Sequence, residues 1–153
     1  MSLDTAVQAL VDAGAEFVII GGWSAILHGS RFMADDLDIC FSRKRENLRC
    51  LAQALAPYHP RLRDVPGAIF TLDTDLGGID LLAEVSGLGT FADVKAVSIA
   101  VEAFGRQVLT LDLKSLIKAK RAAGREQDLR ALPSWKASSR PGNHETPLGL
   151  KIA

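Results

Sequence analysis

The chain has 153 residues, of which 48% are hydrophobic and only 6% aromatic, and a length of this order is typical of one domain with a substantial core. Its 18 basic and 18 acidic residues cancel, which excludes an overall positive field for DNA, RNA or an anionic membrane but leaves a local basic face open. No apolar run approaches the ~18 residues of a membrane span, no leader pattern opens the chain, and two cysteines make neither a disulfide framework nor a zinc site. These features predict a soluble cytoplasmic domain.

Apolar periodicity, interrupted by glycine and proline, predicts the elements of the first half. In chain order they are a helix over 3–13, a strand over 17–20, a short helix over 23–27, a strand over 37–41 and a helix over 46–56. Residues 58–67 are interpreted as a loop because they carry two prolines and several charges.

The second half is predicted to contain strand pairs followed by a helix. The elements are strands over 68–72 and 79–82 around a turn over 73–78, a hairpin of 97–104 and 107–111 turning at Gly105-Arg106, and a helix over 113–123 with an optional extension to Leu132. This order predicts an α/β (α+β) fold with a mixed β-sheet flanked by helices, in a single domain over 1–135. The aperiodic, polar residues 136–153 are predicted to be a flexible tail.

Two glycines, Gly21 and Gly22, directly follow the first predicted strand and precede a predicted helix. Glycine lets the backbone approach a ligand closely, and the free amides of a helix start suit a phosphate. A tight strand-to-helix turn also needs glycine for its own sake, so the pair alone leaves a purely structural role open.

The second predicted strand is entered through Asp36-Leu37-Asp38. Residues two apart on a strand project from one face, so the two carboxylates lie side by side and favour a neutralising cation. Oxygen ligands of this kind suit Mg²⁺ or Mn²⁺. The alternative is a solvent-facing acidic strand, which the neighbouring Asp35 supports.

Asp80 is a single carboxylate inside the apolar run Ile79-Asp80-Leu81-Leu82. If its strand neighbours that of Asp36 and Asp38, three carboxylates converge on one metal pocket. Such a set is what two-metal phosphoryl or nucleotidyl transfer uses.

These motifs together resemble a known family. Gly21-Gly22, thirteen intervening residues and Asp36-Leu37-Asp38-Ile39 resemble the nucleotidyltransferase motif of the DNA polymerase β superfamily. The run FVIIGGWSAILHGSRFMADDLDICFSR is similar to minimal nucleotidyltransferases related to AbiEii-type bacterial toxins, and TLDTDLGGIDLLAEVSGLG and LTLDLKSLIKAKRAAGREQDL resemble later blocks of that family. The resemblance spans residues 5–132 and implies a nucleotidyltransferase-like fold.

The resemblance also implies roles for individual residues. Asp36 and Asp38 would hold the catalytic Mg²⁺ (or Mn²⁺) ions, and Asp80 would be the third ligand, placed to help deprotonate an acceptor hydroxyl. The residues that would hold the triphosphate through backbone and hydroxyl donors are Gly21, Gly22 and Ser24. The implied reaction is in-line attack of the acceptor on the α-phosphate of a nucleoside triphosphate, with release of pyrophosphate.

One lysine of the last predicted helix lies on its apolar side. Leu113, Leu116 and Ile117 form the apolar stripe, and Lys120 falls in the middle of it. A lysine there must either extend to solvent along the apolar surface or pair with an anion, such as a nucleotide phosphate or an active-site carboxylate. In the family the corresponding helix flanks the nucleotide site, so we expect Lys120 to contribute to nucleotide binding.

Two further polar residues near these motifs are expected to be structural. His28 follows an apolar run and is interpreted as a packed or capping residue. Cys40 is expected in the core, with its side chain directed away from Asp38.

Three functions remain open. The leading hypothesis is a metal-dependent nucleotidyltransferase acting on an RNA, protein or small-molecule acceptor, in a toxin–antitoxin or phage-defence pair with an antitoxin or second subunit as partner. The second is an antibiotic nucleotidyltransferase for aminoglycosides or lincosamides, which shares the motif. The third is a catalytically silent nucleotide-binding subunit, against which the three intact carboxylates argue.

Overall fold

A computed structural model describes residues 2–31, 33–63, 70–124 and 151–152 of the chain. The strands are β1 Phe17–Ile20, β2 Leu37–Phe41, β3 Arg61–Arg63, β4 Phe70–Thr74, β5 Gly77–Leu82, β6 Glu84–Val85, β7 Gly89–Thr90, β8 Ser98–Ala103, β9 Arg106–Leu111 and β10 Lys151–Ile152. The helices are α1 Leu3–Asp12, α2 Gly21–Leu27, α3 Arg45–Leu55, α4 Phe91–Ala96 and α5 Leu113–Ala123, with a 3₁₀ turn at Ala56–Tyr58.

Eight of the strands form one mixed sheet in the order β10-β8-β9-β1-β2-β5-β4-β3, and β6 pairs with β7 in a separate ribbon. The central strand β1 is antiparallel to β2 and parallel to β9. β2 is in turn parallel to β5. The predicted mixed α+β domain is therefore confirmed.

Helices cover both faces of the sheet and enclose two apolar clusters. α1 and α3 pack on one face, where the cluster includes Val7, Leu10, Ile19, Ile39 and Leu51. α4 and α5 pack on the other face, where the cluster includes Val18, Cys40, Val94, Leu111 and Leu116. All four residues of β1 are buried because each of its faces meets one of these clusters.

The last helix is defined at both ends by local chemistry. The side chain of Asp112 accepts a hydrogen bond from the Ser115 N–H, which satisfies an otherwise unpaired amide of the first turn. Gly124 follows the helix in the left-handed conformation, with a φ of +67°, which is a common way to end a helix. The α5 helix therefore ends at Ala123, short of the optional extension to Leu132, and the chain from 125 to 132 lies outside the described residues.

The other predicted elements lie within about two residues of their observed bounds, but three stretches differ. The predicted loop over 58–67 contains β3, which pairs antiparallel with β4. The turn between β4 and β5 is tighter than predicted, because Thr74 already pairs with Gly77. The segment over 84–96, for which the sequence predicts no element, forms β6, β7 and α4.

The predicted tail over 136–153 lies outside the described residues except for β10. The two residues of β10 pair antiparallel with Val101 and Glu102 of β8. The domain boundary at 135 and the flexibility of the tail stay predictions. Within the described ranges, no helix has the length and apolar character that crossing a membrane would require.

Candidate active site

Asp38 and Asp80 lie side by side on the parallel strands β2 and β5, paired in the same register. Neighbouring strands are about 4.8 Å apart, and paired residues project from the same face of the sheet. Both residues are partly buried. β5 therefore lies next to β2, as the interpretation of Asp80 as a third carboxylate of the site requires.

Asp36 immediately precedes β2 and packs over Gly78 of β5. A Cβ atom built on Gly78 would lie 2.8 Å from Asp36 Cγ, so only glycine leaves room for this carboxyl group. Burial, and next the charge of Asp80, raise the pKa of Asp36 above its ordinary value, whereas Arg63 acts in the opposite direction. A carboxyl group with a disfavoured negative charge gains from a nearby cation.

The carboxylates of Asp36, Asp38 and Asp80 match the ligand chemistry of a hard divalent cation. Within the described ranges, no three His, Cys, Asp or Glu side chains are gathered closely enough to share one metal ion. However, Asp80 Oδ1 is buried and has no hydrogen-bond partner among the described residues, which is costly for a carboxylate. An all-oxygen set of this kind suits Mg²⁺ or Mn²⁺, with substrate and water oxygens as further ligands.

Gly21 starts α2 at the end of β1 and lies directly beneath Asp38. Its φ is +65°, and an added Cβ would overlap Asp38 Oδ2 and lie 3.1 Å from Asp38 Cβ. A Cβ on Gly22 would lie 2.8 Å from the Cβ of Ala34. The N-cap residue of α2 is Ile20, whose apolar side chain cannot cap the amides of the first turn. Gly21 is thus required for the turn to sit against Asp38, and Gly22 for it to sit against Ala34.

Lys120 is buried, with 9% of its surface exposed, as its place on the helical wheel predicts. With Gly21 and Asp38 it lines a cavity of about 160 Å³ between α5 and the ends of β1, β5 and β9. Most of the remaining wall is apolar and includes Leu82 and Leu111. The cavity brings together three of the residues that the sequence singles out.

Ser24 lies in the interior rather than at this cavity. It is fully buried, and its hydroxyl oxygen is 2.6 Å from Thr110 Oγ1, which is also 3.0 Å from the carbonyl oxygen of Ile19. This hydrogen-bonded group ties α2 to β9 and β1. We therefore assign Ser24 a packing role, whereas the sequence suggests a phosphate contact.

His28 and Cys40 are structural, as expected. His28 follows α2, and its Nε2 lies 2.7 Å from the carbonyl oxygen of Leu111, so this nitrogen donates the hydrogen bond. Cys40 is fully buried, but the expectation that it points away from Asp38 is wrong. Residues 38 and 40 are two apart on one strand and so project from the same face, on which Cys40 packs with Val18.

The sequence did not reveal Arg63 as a residue of this site. In the sheet, Arg63 pairs with Thr71, Thr71 with Asp80, and Asp80 with Asp38. Residues paired in this way share a face, so Arg63 projects from the same face as the carboxylates.

The guanidinium of Arg63 lies between two carboxyl groups. Its Nη1 is 3.8 Å from Asp36 Oδ2, and its Nε and Nη2 hydrogen-bond to Asp73. The alternation Arg61-Leu62-Arg63 is the sequence signal of a strand here, but three residues are too few for it to stand out.

No family model matches the chain, and none of the curated proteins matches it either. Solved structures do. A protein of Thermotoga maritima assigned as a nucleotidyltransferase matches with a TM-score of 0.59 and 16% identity, over 86% of this chain and 90% of that one.

Two antibiotic adenylyltransferases match as well. The lincosamide adenylyltransferase LnuA, solved with lincomycin bound, has a TM-score of 0.62 and 14% identity over 87% of this chain and 93% of that one. ANT(2″)-Ia, solved with adenylyl-2″-tobramycin, has a TM-score of 0.62 and 16% identity over 89% of this chain and 86% of that one. The chain therefore has the fold of these nucleotidyltransferases. Likeness of fold alone does not establish an activity.

Proposed function

We propose that the protein is a metal-dependent nucleotidyltransferase that transfers a nucleoside monophosphate to an acceptor hydroxyl and releases pyrophosphate. The observation that carries this proposal is the pairing of Asp38 with Asp80 beside the Gly21 turn. The nucleotidyltransferase fold of its structural neighbours supports the same reaction class.

Each residue has a role in the proposed reaction. Asp36 and Asp38, with Asp80 as third ligand, would hold a divalent cation, Mg²⁺ or Mn²⁺, which neutralises charge on the triphosphate when bound. Asp80 takes the proton of the acceptor hydroxyl as the oxygen bonds to the α-phosphorus and the bond to pyrophosphate breaks. The groups proposed to hold the phosphates are the backbone amides of Gly21 and Gly22 and the ammonium of Lys120.

The acceptor is left to experiment among three classes. LnuA and ANT(2″)-Ia, solved with lincomycin and an adenylylated tobramycin, favour testing small-molecule antibiotics. The resemblance to AbiEii-type toxins favours RNA or protein as acceptor, in a toxin–antitoxin or phage-defence pair with an antitoxin or second subunit. In either case we propose that the reaction takes place in the cytoplasm, where nucleoside triphosphates and Mg²⁺ are abundant.

The test is transfer of label from each α-³²P nucleoside triphosphate, with Mg²⁺ or Mn²⁺, to total RNA, to the protein itself and to a panel of lincosamides and aminoglycosides. We expect label in one acceptor class, lost in Asp38→Asn and kept in Asp35→Asn. The control removes an exposed carboxylate three residues away in the same segment. Equal labelling by all three proteins would refute the assignment of the site.

A further inference from the structure

Arg63 is a cation that lies beside Asp36, one of the proposed metal ligands. It reaches this residue from the edge of the sheet, since β3 is the last strand after β5 and β4. Its Nη1 is 3.8 Å from Asp36 Oδ2, whereas Gly21 lies on the opposite side of Asp38, at the end of β1. Arg63 therefore meets the acidic residues from the side of Asp80.

Asp73 holds Arg63 in this place. Two nitrogens of the guanidinium contact the Asp73 carboxylate, with Nε at 3.1 Å and 3.2 Å from its two oxygens. This paired geometry is the orienting contact that a planar guanidinium makes and a lysine does not. The same side chain faces Asp36 over a longer gap, so the two carboxylates share one positive charge unequally.

We propose that Arg63 is a positioning residue that acts as an internal counter-cation for Asp36 and thereby sets the affinity of the acidic site for its divalent cation. This inference rests on the proposed function. A divalent cation at Asp36 competes with the guanidinium for the same carboxylate, and Asp73 limits that competition by keeping Arg63 partly withdrawn.

Arg61 supplies a matched control within the same strand. It pairs in the sheet with Asp73, which pairs with Gly78, over which Asp36 packs. By register, Arg61 is therefore as many strands from the site as Arg63 and projects from the same face. Its guanidinium instead approaches Asp75, at 4.0 Å. If only the overall positive potential matters, removing either arginine should change the affinity for the divalent cation to a similar extent. If the pairing of Arg63 with Asp36 matters, only removal of Arg63 should change it.

The experiment is titration of the full chain with Mn²⁺ alone, without nucleotide, at fixed ionic strength, with free Mn²⁺ measured by electron paramagnetic resonance. We expect Arg63→Gln to tighten Mn²⁺ binding about two- to fivefold, which is the range for a partly exposed ion pair, and Arg61→Gln to leave it within about 1.5-fold of wild type. Asp73→Asn should weaken binding in the wild-type background, and by less in Arg63→Gln.

The outcomes separate the two proposals. Mn²⁺ binding that Asp36→Asn and Asp38→Asn abolish, with no tightening in Arg63→Gln, overturns the role of Arg63 and leaves the metal site intact. Equal tightening in both arginine variants also overturns it, because a uniform field then suffices. Absence of Mn²⁺ binding, or binding that the aspartate variants do not change, overturns the metal site and with it this inference.

Discussion

The two halves of the sheet differ in what their side chains meet. In β1, at the centre, both faces are apolar and all four residues are buried. In β2 and β5, one face carries Leu37, Ile39 and Ile79 in the core, while the other carries Asp38 and Asp80. The face of Asp38 also carries Cys40 of the second apolar cluster, but the cluster of Leu37 and Ile39 lies on the opposite face of the same strand. Substitutions in that opposite cluster can therefore lower stability without removing a carboxylate of the candidate site.

The largest expected effect tests that separation within β2. Leu37 is fully buried, and truncating such a side chain to alanine costs about 2–5 kcal/mol of the free energy of unfolding. We expect Leu37→Ala to show this loss in urea denaturation. Asp38→Asn, the next residue on the other face, should change the free energy of unfolding by less than about 1 kcal/mol while abolishing nucleotidyl transfer. Similar losses from both substitutions would show that the two faces are not separable.

The second prediction compares two glycines, one beside the carboxylates and one at the hairpin turn between β8 and β9. Gly21 and Gly105 have similar φ values, +65° and +73°, but a Cβ on Gly21 overlaps Asp38, whereas a Cβ on Gly105 meets nothing within 4 Å. Alanine at a positive φ costs about 1 kcal/mol, so Gly105→Ala measures the backbone cost alone. We expect Gly21→Ala to cost about 1–2 kcal/mol more and to abolish transfer, in thermal denaturation and label-transfer assays. Equal costs would mean that Asp38 moves aside freely.

The third prediction concerns His28, a titratable group that hydrogen-bonds to the end of β9 rather than to the acidic residues. Burial lowers the pKa of His28 below its ordinary value, against the opposing effects of the Leu111 carbonyl and Asp112. The unfolded chain therefore binds this proton more readily, so stability is full above the ordinary pKa of about 6.5 and is lost as the pH falls below it. Between pH 7.5 and 5.5 we expect wild type to lose on the order of 1 kcal/mol more than His28→Gln in urea denaturation. Parallel pH profiles would contradict the assigned burial effect.

The sequence predicts elements whose pattern is local and fails where a contact comes from the register of distant strands. The buried run of β1 and the apolar stripe of α5 are visible in consecutive residues. β3 is only three residues long and pairs with β4, which starts seven residues after the end of β3. Arg63 was missed for this reason, because its approach to Asp36 depends on three strand pairings. α4 could have been found from its capping box of Thr90 and Asp93.

The smallest expected effect is a gain, rather than a loss, in the free energy of unfolding. It concerns Asp36, beside the paired carboxylates. Because burial and Asp80 raise the pKa of Asp36, its contribution to stability is full below the ordinary pKa of 3.8 and is lost as the pH rises through the folded value. At pH 7 the charge is thus a net cost, reduced by solvent because the side chain is 34% exposed. Asp36→Asn should raise the free energy of unfolding by about 0.5 kcal/mol at pH 7, and the gain should vanish near pH 4.

Asp35→Asn controls for the removal of one negative charge from the same segment. Asp35 is exposed, so we expect its substitution to leave the free energy of unfolding within about 0.3 kcal/mol of wild type. A loss of stability in Asp36→Asn at pH 7 would mean that the ion pair with Arg63 outweighs burial and the repulsion from Asp80. A gain, combined with lost Mn²⁺ binding, would mean that the chain keeps this carboxylate at the expense of stability because the bound cation needs it.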